Sequence, residues 1–433
     1  MTPTGGTRAG ATGRRIHRAW WVALVIFLVL LASAAFRSSV GVMIVPIEED
    51  FGWPRSVTSI AVSVNLVVYG LSAPFAAALM ERFGIRRIVA AALVLIALGT
   101  AGTAMMSAPW QLTVLWGGIV GLGTGATALV LGSLVAGRWF VQRRGLVMGW
   151  FGAAWATGQL VFLPIIARTV ETSGWRAAAI GVATLSALAV PLVLLVVRDR
   201  PGDVGLRAFG AEGHVLTEPI VDRTSGWRTA TRALTTLTAA ARTRAFWLLA
   251  GTFFVCGWTT NGIVSTHFVP TMHDHGMGTT TAAGLLAVVG IFDIVGTLAS
   301  GWLTDRVDPR WLLVAYYGLR GVAVIALPFI IGPSVDPPLL AVMVLFGLDW
   351  VATVPPTAVL CQRIFGIDQG PIVFGWVFAS HMIGAAVSAA ATGVIRDQAG
   401  DYASAWILAG ALAITAALAC IALPRTPRTA APA

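Results

Sequence analysis

No lysine occurs in this 433-residue chain, so its 29 basic residues are all arginine. Acids number only 19, and charged residues of every kind make up 11% of the sequence, against roughly 25% in soluble domains. So few charges cannot cover a surface wetted on all sides, which excludes an ordinary soluble fold for most of the chain. Cysteine is scarce too: Cys256, Cys361 and Cys420 lie inside or at the edge of apolar stretches and give neither a disulfide framework nor a metal spacing. No nucleotide-binding loop occurs. The glycines of the 121–125 run lie inside an apolar stretch, not between a strand and a helix, so they carry no dinucleotide signal. Histidine, cysteine and acids are too scattered to form an enzyme site, and no cofactor is expected.

What the chain has in abundance is hydrophobic length: 57% of its residues are apolar. A membrane-crossing helix needs about 20 mostly apolar residues. Twelve stretches qualify, at 19–47, 56–80, 86–106, 109–137, 144–168, 175–197, 245–270, 280–304, 311–331, 338–364, 371–395 and 402–424. In lipid every backbone group must be satisfied internally, so these read as helices. The expected fold is an all-α integral membrane protein. Tail 1–18 precedes a six-helix bundle at 19–197, linker 198–244 follows, and a second bundle at 245–424 precedes tail 425–433. Arg14-Arg15 followed by an apolar run and Ala32-Ser33-Ala34 could mimic a cleavable leader, but the run continues to Val45 and reads as a span.

The arginines orient the bundle. The first tail carries Arg8, Arg14, Arg15 and Arg18; the loop after span 2 carries Arg82, Arg86 and Arg87; the loop after span 4 carries Arg138, Arg143 and Arg144. The loop after span 1 is acidic (Glu48, Glu49, Asp50). Positive charge stays on the cytoplasmic side, so both termini are expected there, in the inner membrane. The arginines form no surface stripe, so the net charge of +10 does not point to nucleic acid. Trp20, Trp21, Trp53, Trp110, Trp175 and Trp311 fall near span ends, where an aromatic belt belongs. The linker ends in a segment with Trp227, Leu234 and Leu237 on one side, either an interfacial helix or a solvated one.

The halves repeat. After span 2 comes 77–87, AALMERFGIRR, and after span 8 comes 301–310, GWLTDRVDPR; Glu81 and Asp305 are 224 residues apart. After span 4 comes Arg138-Trp139-Phe140 and after span 10 comes Arg363-Ile364-Phe365, 225 apart. The Gly301, Asp305, Arg306 pattern resembles the signature loop of the major facilitator superfamily, and the likeness covers essentially the whole chain, with Ala77 and Glu81 as mild departures. An acid at such a helix end can pair with an arginine of the neighbouring hairpin, Glu81 with Arg138 and Asp305 with Arg363. With Arg82 and Arg306 these would form a cytoplasmic gate; otherwise they only mark turns. The segment 138–158 resembles the fifth-helix signature of the monocarboxylate-porter and oxalate–formate-exchanger branch. That branch carries an arginine one turn after the acid of span 8, where this chain has Thr297.

Charges at membrane depth cost about 2.5–3.5 kcal/mol each on insertion scales, so each is a functional candidate. Arg37, Asp293, Arg320, Asp349 and His381 qualify. Asp293 and Arg320 lie at similar distances from the turn near residue 307 and could pair across that hairpin, or Asp293 could face the cavity. Arg37 and Asp349 also match in depth, and the resemblance places spans 1 and 10 among the cavity-lining helices. A buried arginine stays charged, so Arg37 needs an anion, either Asp349 or a substrate carboxylate. His381 has an unperturbed pKa near neutrality, and the exchanger branch places a basic residue in that region of span 11. Asn65 and Tyr69 share a helix face; with Gln159, Asn261 and Thr297 they could contact substrate or tie helices together. His267, His273, His275 and Asp274 lack the ligand set of a metal site, and no metal is expected. Pro355 and Pro356 should break span 10 locally.

The expected function is secondary active transport by alternating access around a midplane site. The solute is a small organic molecule, a carboxylate on the branch likeness, coupled to protons through Asp293, Asp349 or His381 or else to exchange. The alternative is export of a hydrophobic or drug-like compound, to which Trp258, Trp350 and Trp376 would be suited. A sensor or channel is remote, since no signalling domain or filter-like segment appears. The partners expected are substrate and bilayer, with the protein acting as a monomer.

Overall fold

An apolar helix stops where its hydrophobic run stops or where a residue leaves helical angles, and the second case divides this chain at one decisive place. A computed structural model of the chain describes residues 17–211, 225–304, 306–366 and 369–424. Residues from Arg144 to Val196 form one unbroken helical stretch except at Gly174, whose φ of 83° only glycine adopts freely. That turn makes two membrane-length helices from one, α5 (144–173) and α6 (175–196). Before them come α1 (Arg18–Phe51), α2 (Arg55–Phe83), α3 (Ile85–Thr103) and α4 (Pro109–Trp139). The second set is α7 (Arg244–Asp274), α8 (Thr279–Thr304), α9 (Pro309–Phe329), α10 (Pro337–Phe365), α11 (Gly370–Ala399) and α12 (Ala403–Ile421).

Among the described residues ten stretches are long and apolar enough to cross a bilayer. The division at Gly174 and the 29-residue α2 bring the helices to twelve. Their bounds match the hydropathy expectation within a few residues. α4 is interrupted by a π-helical turn at Thr113–Val120 and a break near residue 127, and α7 by a π turn at Trp258–Gly262. Trp21, Trp110 and Trp311 are half or more exposed near helix ends, as an aromatic belt requires. Trp175 is instead buried against Phe51, with its Nε1–H donating to Asp50 at 3.3 Å. Packing there outweighs the interfacial preference.

The apolar core is organised differently at the two ends of the bundle. At the end bearing Glu48, Glu49 and Asp50 and the 52–54 turn, here the far end, one continuous core joins both halves and runs from Phe36, Trp116 and Trp175 to Phe268, Phe346 and Trp406. At the end bearing the termini the core is divided. One cluster holds first-half residues such as Ile26, Trp139 and Phe151, and a separate one holds second-half residues such as Phe253, Tyr317 and Leu360. The linker helix Ser225–Ala240 lies at this terminal end, packed on α2 and α11. Leu237 joins the second-half core and Trp376 Nε1–H donates to Ala233 O, while Leu234 points outward. The Trp227 side chain lies outside the described residues.

Candidate functional site

The site begins with a close approach of two helices. A side chain at Gly296 on α8 would collide with the Leu348 carbonyl, and one at Gly347 on α10 with the Val289 carbonyl at 2.7 Å. These two glycines let α8 and α10 touch backbone to backbone. They bring Asp293 beside a break in α10 at residues 350–353, just before Val354-Pro355-Pro356. Proline has no N–H, so helical carbonyls before it lose their donors. In lipid such groups must be served by neighbours. Ser300 Oγ donates to Ala352 O at 2.5 Å, and Asp293 Oδ1 accepts Val351 N–H at 3.0 Å. Arg320 Nη2 donates to Asp349 O at 2.6 Å and Trp350 O at 3.4 Å.

Arg320 also forms the buried ion pair of the site, Nε to Asp349 Oδ2 at 2.5 Å, with both side chains nearly inaccessible. Its Nη1 donates to Cys256 Sγ and Thr259 Oγ1 on α7. Of the alternatives left open for these charges, the direct pairings Asp293–Arg320 and Arg37–Asp349 are not the ones formed. Arg320 is not the direct partner of Asp293 but of Asp349, and Asp349 is paired with Arg320 and not with Arg37. α9 presents Arg320 to α10. Asp293 instead accepts Thr297 Oγ1–H at 3.0 Å, so the residue standing where the branch has its arginine is a bonding partner of the acid. Arg320 and Asp293 both act electrostatically on Asp349, and the Asp349 Oδ1 atom is buried without a hydrogen-bond partner. Two carboxylates thus share one guanidinium.

In the first half, the half-buried Arg37 of α1 lies over the Tyr69 ring of α2, 4.3 Å from its centroid, a cation–π geometry. His381 of α11 is buried between aromatic rings, stacked on Phe378 and tilted against Phe253, with Asn261 Nδ2 at 3.1 Å from its Nε2. Asn261 falls in the π turn of α7, a distortion often found at functional sites. Both Arg37 and Arg320 act on His381 electrostatically. Asn65 has a different job: its Nδ2–H donates to Trp116 O at 2.6 Å and ties α2 to the π turn of α4. The Gln159 side chain lies outside the described residues. Among the described residues no cluster of three or more metal-ligating side chains occurs.

At the gate expected near the termini, Asp305 and the Glu81 side chain lie outside the described residues, and with them the pairs Glu81–Arg138 and Asp305–Arg363. Arg82 sits over Phe83, and Arg306 over Trp302 at 4.2 Å while donating to the Trp302 carbonyl. Arg138 Nη1 is 3.5 Å from Asp199 O, and Arg363 acts on Asp308.

A network not anticipated from the sequence seals the far end. Asp397 of α11 caps the first turn of α2, its Oδ1 accepting Arg55 N–H at 3.0 Å and Oδ2 accepting Ser56 N–H at 2.9 Å. Glu171 of α5 caps α8 in the same way, accepting Thr280 N–H at 2.7 Å and Oγ1–H at 2.6 Å. Each carboxylate comes from the opposite half. The capped residues, Ser56 and Thr280, are 224 apart and the capping acids 226 apart, so the two caps are repeat-related; that offset was the signal available in the sequence. Arg55 further pairs with Glu48 at 2.6 Å and with the Tyr402 hydroxyl, and Ser63 Oγ–H donates to Ala386 O at 2.6 Å. These hydrogen bonds between the halves lie toward this end.

Comparison with known proteins agrees with this architecture. The sequence model described as the Major Facilitator Superfamily matches residues 26–388. The chain is 24% identical over 388 residues to an uncharacterized MFS-type transporter of Bacillus subtilis, covering 88% of this chain and 90% of that one. It is 28% identical over 422 residues to the mouse monocarboxylate transporter 11, covering 94% and 87%. Among solved structures it resembles a bacterial homologue of the lysosomal transporter Spinster, inward-facing and occupied, with TM-score 0.72 at 15% identity over 96% of this chain and 99% of that one. The xylose transporter of E. coli, in a partially occluded inward-open state, matches with TM-score 0.68 at 17% identity over the same shares.

Proposed function

The chain belongs to the Major Facilitator Superfamily, and we propose that within it this protein is a secondary carrier for a small organic carboxylate, coupled to protons. The observation that carries this reading is the buried polar cluster of Arg320, Asp349 and Asp293 built around the break in α10. Arg320 is committed to Asp349 and to the broken backbone of α10. Arg37 of the first half lies over the Tyr69 ring, and a guanidinium has the charge and geometry that recognise a substrate carboxylate. Asp293, the acid that Arg320 does not bond directly, is the candidate proton carrier. The relatives named monocarboxylate transporters support a carboxylate. The terminal end, with its excess of arginine, is assigned to the cytoplasm.

In alternating access, the repeat-related caps of α2 and α8 hold the far end shut in the state described. They release when the halves rock apart there and close at the terminal end. The drug-export alternative loses its aromatic lining, because Trp258 and Trp350 are buried in the shared core and Trp376 is held by the linker helix. The test is uptake by proteoliposomes across a panel of carboxylates, with and without an inward proton gradient. Gradient-driven carboxylate uptake is expected. Arg37→Gln should weaken apparent substrate affinity roughly 10- to 100-fold, the range of a charged hydrogen bond. Transport of drug-like solutes alone, or an affinity unchanged in Arg37→Gln, would overturn this assignment.

A further inference from the structure

A cavity of about 700 Å³ opens at the terminal end, outside the path between the halves. It is walled by the turn between α2 and α3, the end of α4, the end of α6 and the first residues of the linker. Five arginines line it, Arg82, Arg86, Arg87, Arg138 and Arg200, against two acids, Asp199 and Asp203. Both acids already have work. Asp199 Oδ1 accepts the Arg86 backbone N–H at 2.9 Å and so caps α3, and Asp203 Oδ2 accepts the Arg200 N–H at 2.9 Å. Counting only Arg82, Arg86, Arg87 and Arg200 against these two acids, two guanidinium charges are left in excess around one hollow, and the Arg86 Nε atom is buried there without a hydrogen-bond partner. Phe83 and Leu194 also line the cavity and are partly exposed, continuous with the outward-facing Leu192 and Leu195 on α6.

We propose that this cavity binds an anionic phosphate headgroup. Clustered guanidinium groups match the geometry and charge of phosphate oxygens. A basic pocket between helix ends at the level of the membrane surface is where an acidic phospholipid presents its phosphate. The apolar flank of Phe83, Leu194 and Leu195 gives an acyl chain a path that a free phosphate ion would not use, so the lipid is the favoured source. This site does not depend on which solute the central cavity carries, and its test requires no transport.

The experiment uses the purified full chain, stripped of lipid in detergent, and measures lipid retained by native mass spectrometry. The probes are phosphatidylglycerol, phosphatidylcholine and inorganic phosphate. Phosphatidylglycerol should be retained selectively and released by salt. The double variant Arg86→Gln/Arg200→Gln should weaken that binding on the order of thirtyfold, at about one surface-arginine contact each. Arg86→Lys/Arg200→Lys should restore much of it, which separates lost charge from lost folding. The control Arg207→Gln/Arg242→Gln removes the same charge from exposed arginines outside the cavity and should leave binding unchanged. Protection by inorganic phosphate as strong as that by phosphatidylglycerol would keep the phosphate site and reassign its source. Equal retention of both lipids, or equal loss in the Arg86/Arg200 and control variants, overturns the proposal.

Discussion

The two ends of this molecule are built on different principles. At the far end a single apolar core crosses the boundary between halves, and the polar contacts over it are made in trans. At the terminal end each half keeps its own core, and arginines crowd the turns. A far end closed by shared burial is costly to open unless its polar contacts are few and reversible; a terminal end with two complete cores can part without exposing either. The polar midplane lies between them, where Arg320 fixes α10 to α9 and α7 within one half.

The largest effect should come from disturbing that fixed point. Arg320→Met leaves Asp349 buried and unpaired and is expected to cost roughly 3–5 kcal/mol, read as a lower thermal midpoint. If the terminal end truly holds two independent cores, hydrogen exchange should show the loss concentrated in residues 244–424, with α1 and α3–α6 still protected; uniform loss would refute that independence. Next comes the far-end seal. Gly41 faces the Ser265 and Thr266 carbonyls, where a Cβ would come within 2.8 Å. Gly41→Val should therefore wedge α1 from α7 at a cost of about 1–3 kcal/mol, widening spin-label distances across the far end while leaving those within each half unchanged.

The caps should weigh less. Asp397→Asn and Glu171→Gln each weaken a charged helix cap worth about 1 kcal/mol, so each should raise the population open at the far end around fivefold by the same distance measurement. Their effects should add, since they act on separate helices. The smallest change belongs to the terminal end. Asp308 caps α9 and is bonded by Arg310, whose hydrogen bonds hold its carboxyl below the ordinary range. A depressed carboxyl stabilises above its unfolded pKa and loses that contribution as pH falls through the folded value. Asp308→Asn should cost less than about 1 kcal/mol at neutral pH, nothing well below the carboxylate range, and should not move the far-end distances at any pH.

Helix number, bounds and the duplication were legible in the sequence because bilayer thickness sets span length and a repeat leaves its offset in the numbering. Height along a helix follows from residue count, which brought Asp293, Arg320 and Asp349 together as candidates, and these three do cluster. Rotation about the helix axes was not legible. A residue every 1.5 Å of rise fixes height, but which neighbour a side chain meets depends on how helices pack, here on Gly296 and Gly347. That is why the sequence left Asp293 open between Arg320 and the cavity, with Arg320 meeting Asp349 instead, and left Asn65 open between substrate and helix tying, with its amide bonded to Trp116 O. Asp397 and Glu171 escaped notice because an acid near a helix end looks like any solvated charge until the opposite half supplies its partner. Thr297 looked like a loss relative to the branch, and its hydroxyl turned out to be the bond that Asp293 accepts one turn away.

The paired caps have a consequence for ancestry. A contact made twice about an approximate two-fold axis is what two copies of one six-helix unit would make on meeting face to face, as in an isologous dimer. In such a dimer one substitution would alter both caps at once. Fusing the copies into a single chain removes that constraint. The side built on Asp397 carries Arg55, Glu48 and Tyr402 around its cap, whereas among the described residues the Glu171 side carries the Thr280 hydroxyl alone. An interface that began with two equal locks now has a heavy one and a light one, and the order in which they release can itself be selected.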